Sequence, residues 1–111
     1  MKGKRIGMQT VKLSEPVVIT ATSAVVGPKE GEGPLGSLFD KVAQEAMYGE
    51  DSWEKAESKF VTEAVQLAVE KANKNMEDMD YILCGDLLNQ CTGTTFGIKD
   101  FKVPYFGLFG A

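Results

Sequence analysis

The sequence predicts an α/β domain with a parallel sheet, and three observations predict it. From residue 52 onward the apolar periodicity reads helix, strand, helix, strand, the order that a parallel sheet with crossover helices produces. Residues 17–26, from Val17 to Val26, form a β-branched run of apolar or small side chains, as a strand covered on both faces does. Residues 103–111 form a second apolar run, opened by Pro104 and closed by Gly110 and Ala111. A strand of that kind normally feeds a loop and a covering helix. None follows Ala111, so Tyr105, Phe106, Leu108 and Phe109 are expected on an exposed edge, and the 111 residues read as the front piece of a longer protein.

Taken in order, residues 6–13 alternate partially and fit an edge strand. Pro16 separates them from the 17–26 strand. Residues 27–36 form a loop dense in Gly, Pro and acid, and a short helix is expected over 35–47, ended by Gly49. The clearest helix runs over 52–74. Asp51 is placed to cap it, with Glu54 three residues on. Trp53, Ala56, Phe60, Ala64, Leu67 and Ala68 recur at three- and four-residue steps, so one stripe faces a core, and Val61, Val65 and Val69 broaden it. Residues 76–80 are a turn, 81–84 a short strand closed by Gly85 and Asp86, and about 94–100 a short helix. No internal repeat or domain boundary interrupts the chain.

Composition narrows the function classes. The chain has 43% hydrophobic and 25% charged residues, which is enough apolar material for a core. Lys2, Lys4, Arg5 and Lys12 give the first 13 residues a charge of +4, and the remainder carries −8. The net charge of −4 argues against nucleic acid as a main partner. No run approaches the ~20 apolar residues that span a bilayer, and no long apolar run follows the basic start as it would in a secretory signal. The expectation is a soluble, intracellular protein. Four charges spread over 13 residues make a weak attraction to an anionic membrane. Cys84 and Cys91 are separated by six residues, neither redox nor zinc-ribbon spacing, and there is no His. No metal site or other cofactor is therefore expected, and no Ser-His or Cys-His pair can form within these residues.

One motif imitates a cofactor site. Gly31-Glu32-Gly33-Pro34-Leu35-Gly36 matches the dinucleotide fingerprint, between a strand and a helix. That site needs backbone amides aimed at a pyrophosphate, yet Glu30 and Glu32 bring negative charge and Pro34 removes a donor. Four residues also separate Val26 from Gly31, where the fingerprint wants a tight turn. The segment reads as a rigid loop shaped by Gly and Pro.

The loop from Gly27 to Gly36 followed by Leu38-Phe39-Asp40, and the run Cys84-Gly85-Asp86-Leu87-Leu88-Asn89-Gln90, together resemble the signature of the stage V sporulation protein AD family. Gln9-Thr10, Trp53-Glu54-Lys55-Ala56-Glu57 and Pro104 to Ala111 fit the same family in the same order. The resemblance implies a thiolase-like fold of two similar halves, each around a mixed sheet flanked by helices. Residues 1–111 would be part of the first half. It also implies that the nucleophile-position Cys of the superfamily comes immediately after Ala111. The family's implied role is to bind dipicolinic acid and assist its uptake into the developing spore, at the spore inner membrane beside membrane-embedded proteins of the same operon. A homodimer is expected by the same analogy. An acyltransferase of the ketoacyl-synthase type is the alternative, with its catalytic residues outside this chain.

Asp86, Asn89 and Gln90 are the candidate ligand-binding residues. They stand just past the carboxyl end of a predicted parallel strand, where open α/β sheets bind ligands. Asn89 and Gln90 can donate to a carboxylate; Asp86 is set to orient a backbone or a partner side chain. The alternative for all three is that they satisfy the loop's own backbone. Lys29 and its acidic neighbours read as a solvated loop.

Overall fold

A computed structural model describes residues 3–109. The architecture is α/β; the described residues form one long helix, a short helix, a single helical turn and six short strands. Strands β1 (Gly3–Ile6) and β2 (Thr10–Leu13) form an antiparallel hairpin with Lys4 opposite Lys12. The edge strand expected over 6–13 is therefore folded back on the residues before it. The chain reverses at residues 7–9, where the Arg5 guanidinium donates to the carbonyls of Gly7 (3.1 Å) and Met8 (2.7 Å) and holds the turn. Every residue of the two strands is exposed.

The long strand expected over 17–26 is reduced to β3 (Val25–Val26), which pairs in parallel with β4 (Lys41–Val42). Val17, Val18 and Ile19 are 68%, 71% and 80% exposed, so the apolar run has no cover among the described residues. The helix expected over 35–47 is also absent. A helical turn α1 (Pro28–Gly31) forms earlier, with Pro28 supplying the preset φ of a first helical position. A single 3-10 turn at Gly36–Leu38 then leads into β4. Tertiary bonds override helix propensity here. Asp40 accepts from the Ala24 amide (2.8 Å) and from Lys71 Nζ (2.7 Å), and the Ala43 amide donates to the Val26 carbonyl (2.8 Å). An extended segment at 40–43 satisfies all of these, and a helix satisfies none.

The long helix is α2 (Trp53–Lys71). Ser52, not Asp51, caps it: the Ser52 hydroxyl accepts from the Lys55 amide (3.3 Å), while Asp51 pairs with Lys55 Nζ (2.8 Å) on the surface. The helix stops where Asn73 turns left-handed (φ 53°) and the Lys74 amide bonds back to the Val69 carbonyl (3.1 Å). Tyr48, Lys41, Lys59 and Glu63 tie the preceding segment onto α2. Glu63 accepts from Tyr48 and from Lys41 (2.8 Å), and Lys59 Nζ lies 4.6 Å above the Tyr48 ring.

Strand β5 (Ile82–Cys84) pairs in parallel with β6 (Tyr105–Gly107), and α3 (Thr92–Ile98) crosses between them. This is the parallel strand–helix–strand unit that the chain order predicts. The strand expected from Val103 begins at Tyr105. The Gly110–Ala111 close of that run lies outside the described residues. Phe106 and Phe109 are 59% and 74% exposed. The strands pair two by two in three separate sheets, so the single mixed sheet implied by the resemblance is not formed among the described residues.

The core is thin. Among the described residues Ala43, Ala56, Cys91 and Ile98 are its buried apolar side chains, joined by Asp86 and Thr94. It sits where α2 crosses α3. Ser58 Oγ lies 2.8 Å from the Gly93 carbonyl, and Thr62 Oγ1, one turn on, bonds the Gly97 carbonyl. Both glycines are needed for that approach: a Cβ on Gly97 would stand 2.6 Å from the Ser58 carbonyl oxygen. The accessible surface is 8415 Å². A folded monomer of 12.0 kDa presents about 6000 Å² by the usual scaling. The radius of gyration, 16.1 Å, likewise exceeds the about 13 Å of a compact chain this long.

Candidate functional site

The site predicted from sequence is the connection from β5 to α3. It leaves the sheet at Gly85 and Asp86, runs through Leu87, Leu88, Asn89 and Gln90, and enters α3 through Cys91. Asp86 is buried at the base of this loop, 7% exposed. Its Oδ1 accepts from the Cys91 amide and its Oδ2 from the Thr94 amide, both at 2.9 Å. These are amides that the first turn of α3 would otherwise leave open. Burial alone raises the Asp86 pKa. The donors, Thr94 first, then Cys91 and Asn89, outweigh it and hold the carboxyl below its ordinary value.

The loop pays for this closure in backbone geometry: Gln90 (φ 40°) and Cys91 (φ 69°) are consecutive non-glycine residues in the left-handed region. Asn89 contributes its carbonyl to the Thr92 amide (3.1 Å). Asn89 and Gln90 are exposed at the loop's tip. Of the three predicted residues, the structure thus places Asp86 within the loop as its organiser and sets Asn89 and Gln90 outward. The three do not converge on one enclosed cavity.

Sequence reasoning missed Glu57. It belongs to the row Trp53, Glu57, Val61, Val65 at steps of four along α2, where a carboxylate interrupts apolar side chains. That interruption was the available signal. Glu57 reaches the first turn of α3, and its Oε1 is fully buried without a hydrogen-bond partner among the described residues. A Cβ on Gly93 would stand 2.3 Å from that oxygen, so the carboxylate occupies the space that Gly93 leaves. Burial first, then the charge of Asp86, raises the Glu57 pKa above its ordinary value. The backbone amides of Leu88 and Leu87 pull the other way without prevailing. Leu88, itself half exposed, and Glu57 line one open groove together with Trp53, Phe60 and Val61.

Beneath α3, Cys84 Sγ lies 3.8 Å from Thr94 Oγ1, and the Tyr105 hydroxyl is buried without a partner among the described residues. Burial raises the Tyr105 pKa. Among the described residues, no cluster of three or more His, Cys, Asp or Glu is placed to hold a metal ion. None of the described helices is long and apolar enough to cross a membrane.

Comparison with known proteins covers nearly the whole chain. Residues 7–111 match the family model described as stage V sporulation protein AD. The chain is similar to the stage V sporulation protein AD of Bacillus subtilis (strain 168), at 40% identity over 108 residues. Those residues are 97% of this chain and 32% of that protein, so the chain spans about a third of the relative's length.

Proposed function

Because this chain belongs to the stage V sporulation protein AD family, we propose that it is a sporulation protein that binds dipicolinic acid and assists its uptake into the developing spore. Family membership over residues 7–111 is the observation that carries the reading. The match takes in both the Gly27–Gly36 loop and the Asp86–Gln90 loop. On this reading residues 1–111 lie in the first half of a thiolase-like domain. The surface of 8415 Å², well above that of a self-contained chain, supports such a placement, because the remainder of the fold would cover Val17–Ile19 and Phe106. The partners are membrane-embedded sporulation proteins at the spore inner membrane, with a second copy of the protein completing a homodimer.

The Asp86–Gln90 loop is the part of this chain assigned to the ligand. Asp86 is committed to the Cys91 and Thr94 amides that open α3, so recognition of the two ligand carboxylates falls to the exposed Asn89 and Gln90 amide groups. Isothermal titration of the purified protein with dipicolinate tests this. Saturable binding that weakens in Asn89→Ala and Gln90→Ala supports it; no saturable heat with the wild-type protein overturns it.

A further inference from the structure

We propose that the β1–β2 hairpin is a docking arm for an anionic lipid surface, with Met8 at its tip entering the headgroup layer and Lys4 and Lys12 meeting lipid phosphates. The inference goes beyond the ligand reading above and does not rest on it. It starts from an arrangement that packing within the chain leaves unexplained. Lys4 lies directly opposite Lys12 in the strand register. Like charges so placed destabilise a strand pair, and a two-stranded hairpin is marginal to begin with. No acid occurs from Gly3 to Ser14, and neither lysine has an ion-pair partner among the described residues. An external anion would relieve the repulsion.

The rest of the hairpin says which anion. Successive side chains alternate between the two faces, so Lys4, Ile6, Thr10 and Lys12 share one face. On the other, Val11 and Leu13 lean over Gly3, where an added Cβ would stand 2.9 Å from Val11 Cγ1. The tip is apolar: Met8 is 84% exposed, and Ile6 and Val11 stand exposed behind it. A nucleic acid backbone or a free phosphate offers those three side chains nothing, whereas the boundary between headgroups and acyl chains does. The Lys4–Lys12 pair stands two residues behind the Ile6–Thr10 pair, about 7 Å at the usual strand rise. An interfacial amphipathic helix buries its apolar face by about 5–10 Å, and immersion of the tip to a similar depth brings the two lysines to the phosphates. The backbone of the tip is prepared for that step. Arg5 donates to the Gly7 and Met8 carbonyls at 3.1 and 2.7 Å, which lowers the cost of taking them out of water. The acidic remainder of the chain, at −8, is repelled by the same surface, so the hairpin is the end that faces it.

The test is co-sedimentation of the purified full protein with vesicles of phosphatidylcholine alone or mixed equally with phosphatidylglycerol. The wild-type protein should bind the mixed vesicles, less tightly as salt rises, and should not bind the neutral ones. Each basic residue beside an anionic membrane raises affinity about fivefold, so Lys4→Gln with Lys12→Gln should weaken binding about thirtyfold. Met8→Ser should weaken it severalfold and leave the salt dependence unchanged, because only apolar contact is lost. Lys29→Gln, at an exposed position of α1, should bind as the wild type does. Every substituted side chain is exposed, so the fold should be retained, which circular dichroism checks. No binding to the mixed vesicles overturns the proposal, as does equal binding to both kinds. Wild-type affinity in the double lysine variant overturns it too. Wild-type affinity in Met8→Ser also overturns it, and leaves an acidic protein as the hairpin's partner. Vesicles of pure lipid hold no dipicolinate, so this result and the ligand titration fail or succeed independently.

Discussion

Asp86→Ala is the substitution whose cost follows most directly from the geometry. It deletes an acceptor 7% exposed that serves two amides at 2.9 Å, and solvent cannot easily replace it. A hydrogen bond to a charged group contributes about 1.5–3 kcal/mol. Two at the lower end give an expected loss of about 3 kcal/mol, above the about 0.5–2 kcal/mol of an ordinary cap deletion. Asp86→Asn should lose less, because its carbonyl still accepts one amide while its NH₂ opposes the other. Urea unfolding followed by circular dichroism measures both. The pH dependence supplies a second check. The folded Asp86 pKa is lowered from 3.8, so its stabilisation is complete above that value and is lost as pH falls through the folded pKa. The gap between wild type and Asp86→Asn should therefore narrow below pH 3.8. An Asp86→Ala protein within about 0.5 kcal/mol of wild type would refute the reasoning, because surface substitutions already reach that value.

Two further outcomes are expected. Ser52→Ala should cost about 1 kcal/mol by removing the α2 cap, while Asp51→Ala, which breaks an exposed ion pair, should stay within about 0.5 kcal/mol; thermal melts in which the order is reversed would return the cap to Asp51. Gly97→Ala should destabilise more than Gly93→Ala, because the new methyl at 97 meets the rigid Ser58 backbone at 2.6 Å, whereas at 93 it meets the movable end of Glu57; equal melting temperatures would show that α2 and α3 do not approach as closely as described.

The legible parts of the fold are those fixed by local pattern. Helix α2 spans 19 residues, so its apolar stripe repeats often enough to be read, and β5, α3 and β6 follow from alternating short elements. The 35–47 segment misled because its composition suits a helix, while Asp40 is committed to Ala24 and Lys71, partners distant in sequence. Val17–Ile19 misled for a different reason: their composition specifies burial, and burial depends on a neighbour. The cap was misplaced by one residue because Asp51 and Ser52 are both good capping residues and only backbone geometry separates them. At the candidate site, the Asp86–Gln90 loop was legible from its place after a strand. The burial of Glu57 was not, since it exists only once α2 lies across α3.

The crossing of α2 and α3 carries a genetic consequence. Ser58 and Thr62 bond to the carbonyls of Gly93 and Gly97, which belong to the main chain and are present whatever residue stands there. The specificity of this lock therefore resides on α2, and α3 contributes only the absence of bulk. A lost hydroxyl at Ser58 or Thr62 then has no reciprocal change on α3 that could restore the bond. Suppressors of Ser58 or Thr62 variants should arise elsewhere, at positions that strengthen the fold generally, and not at 93 or 97.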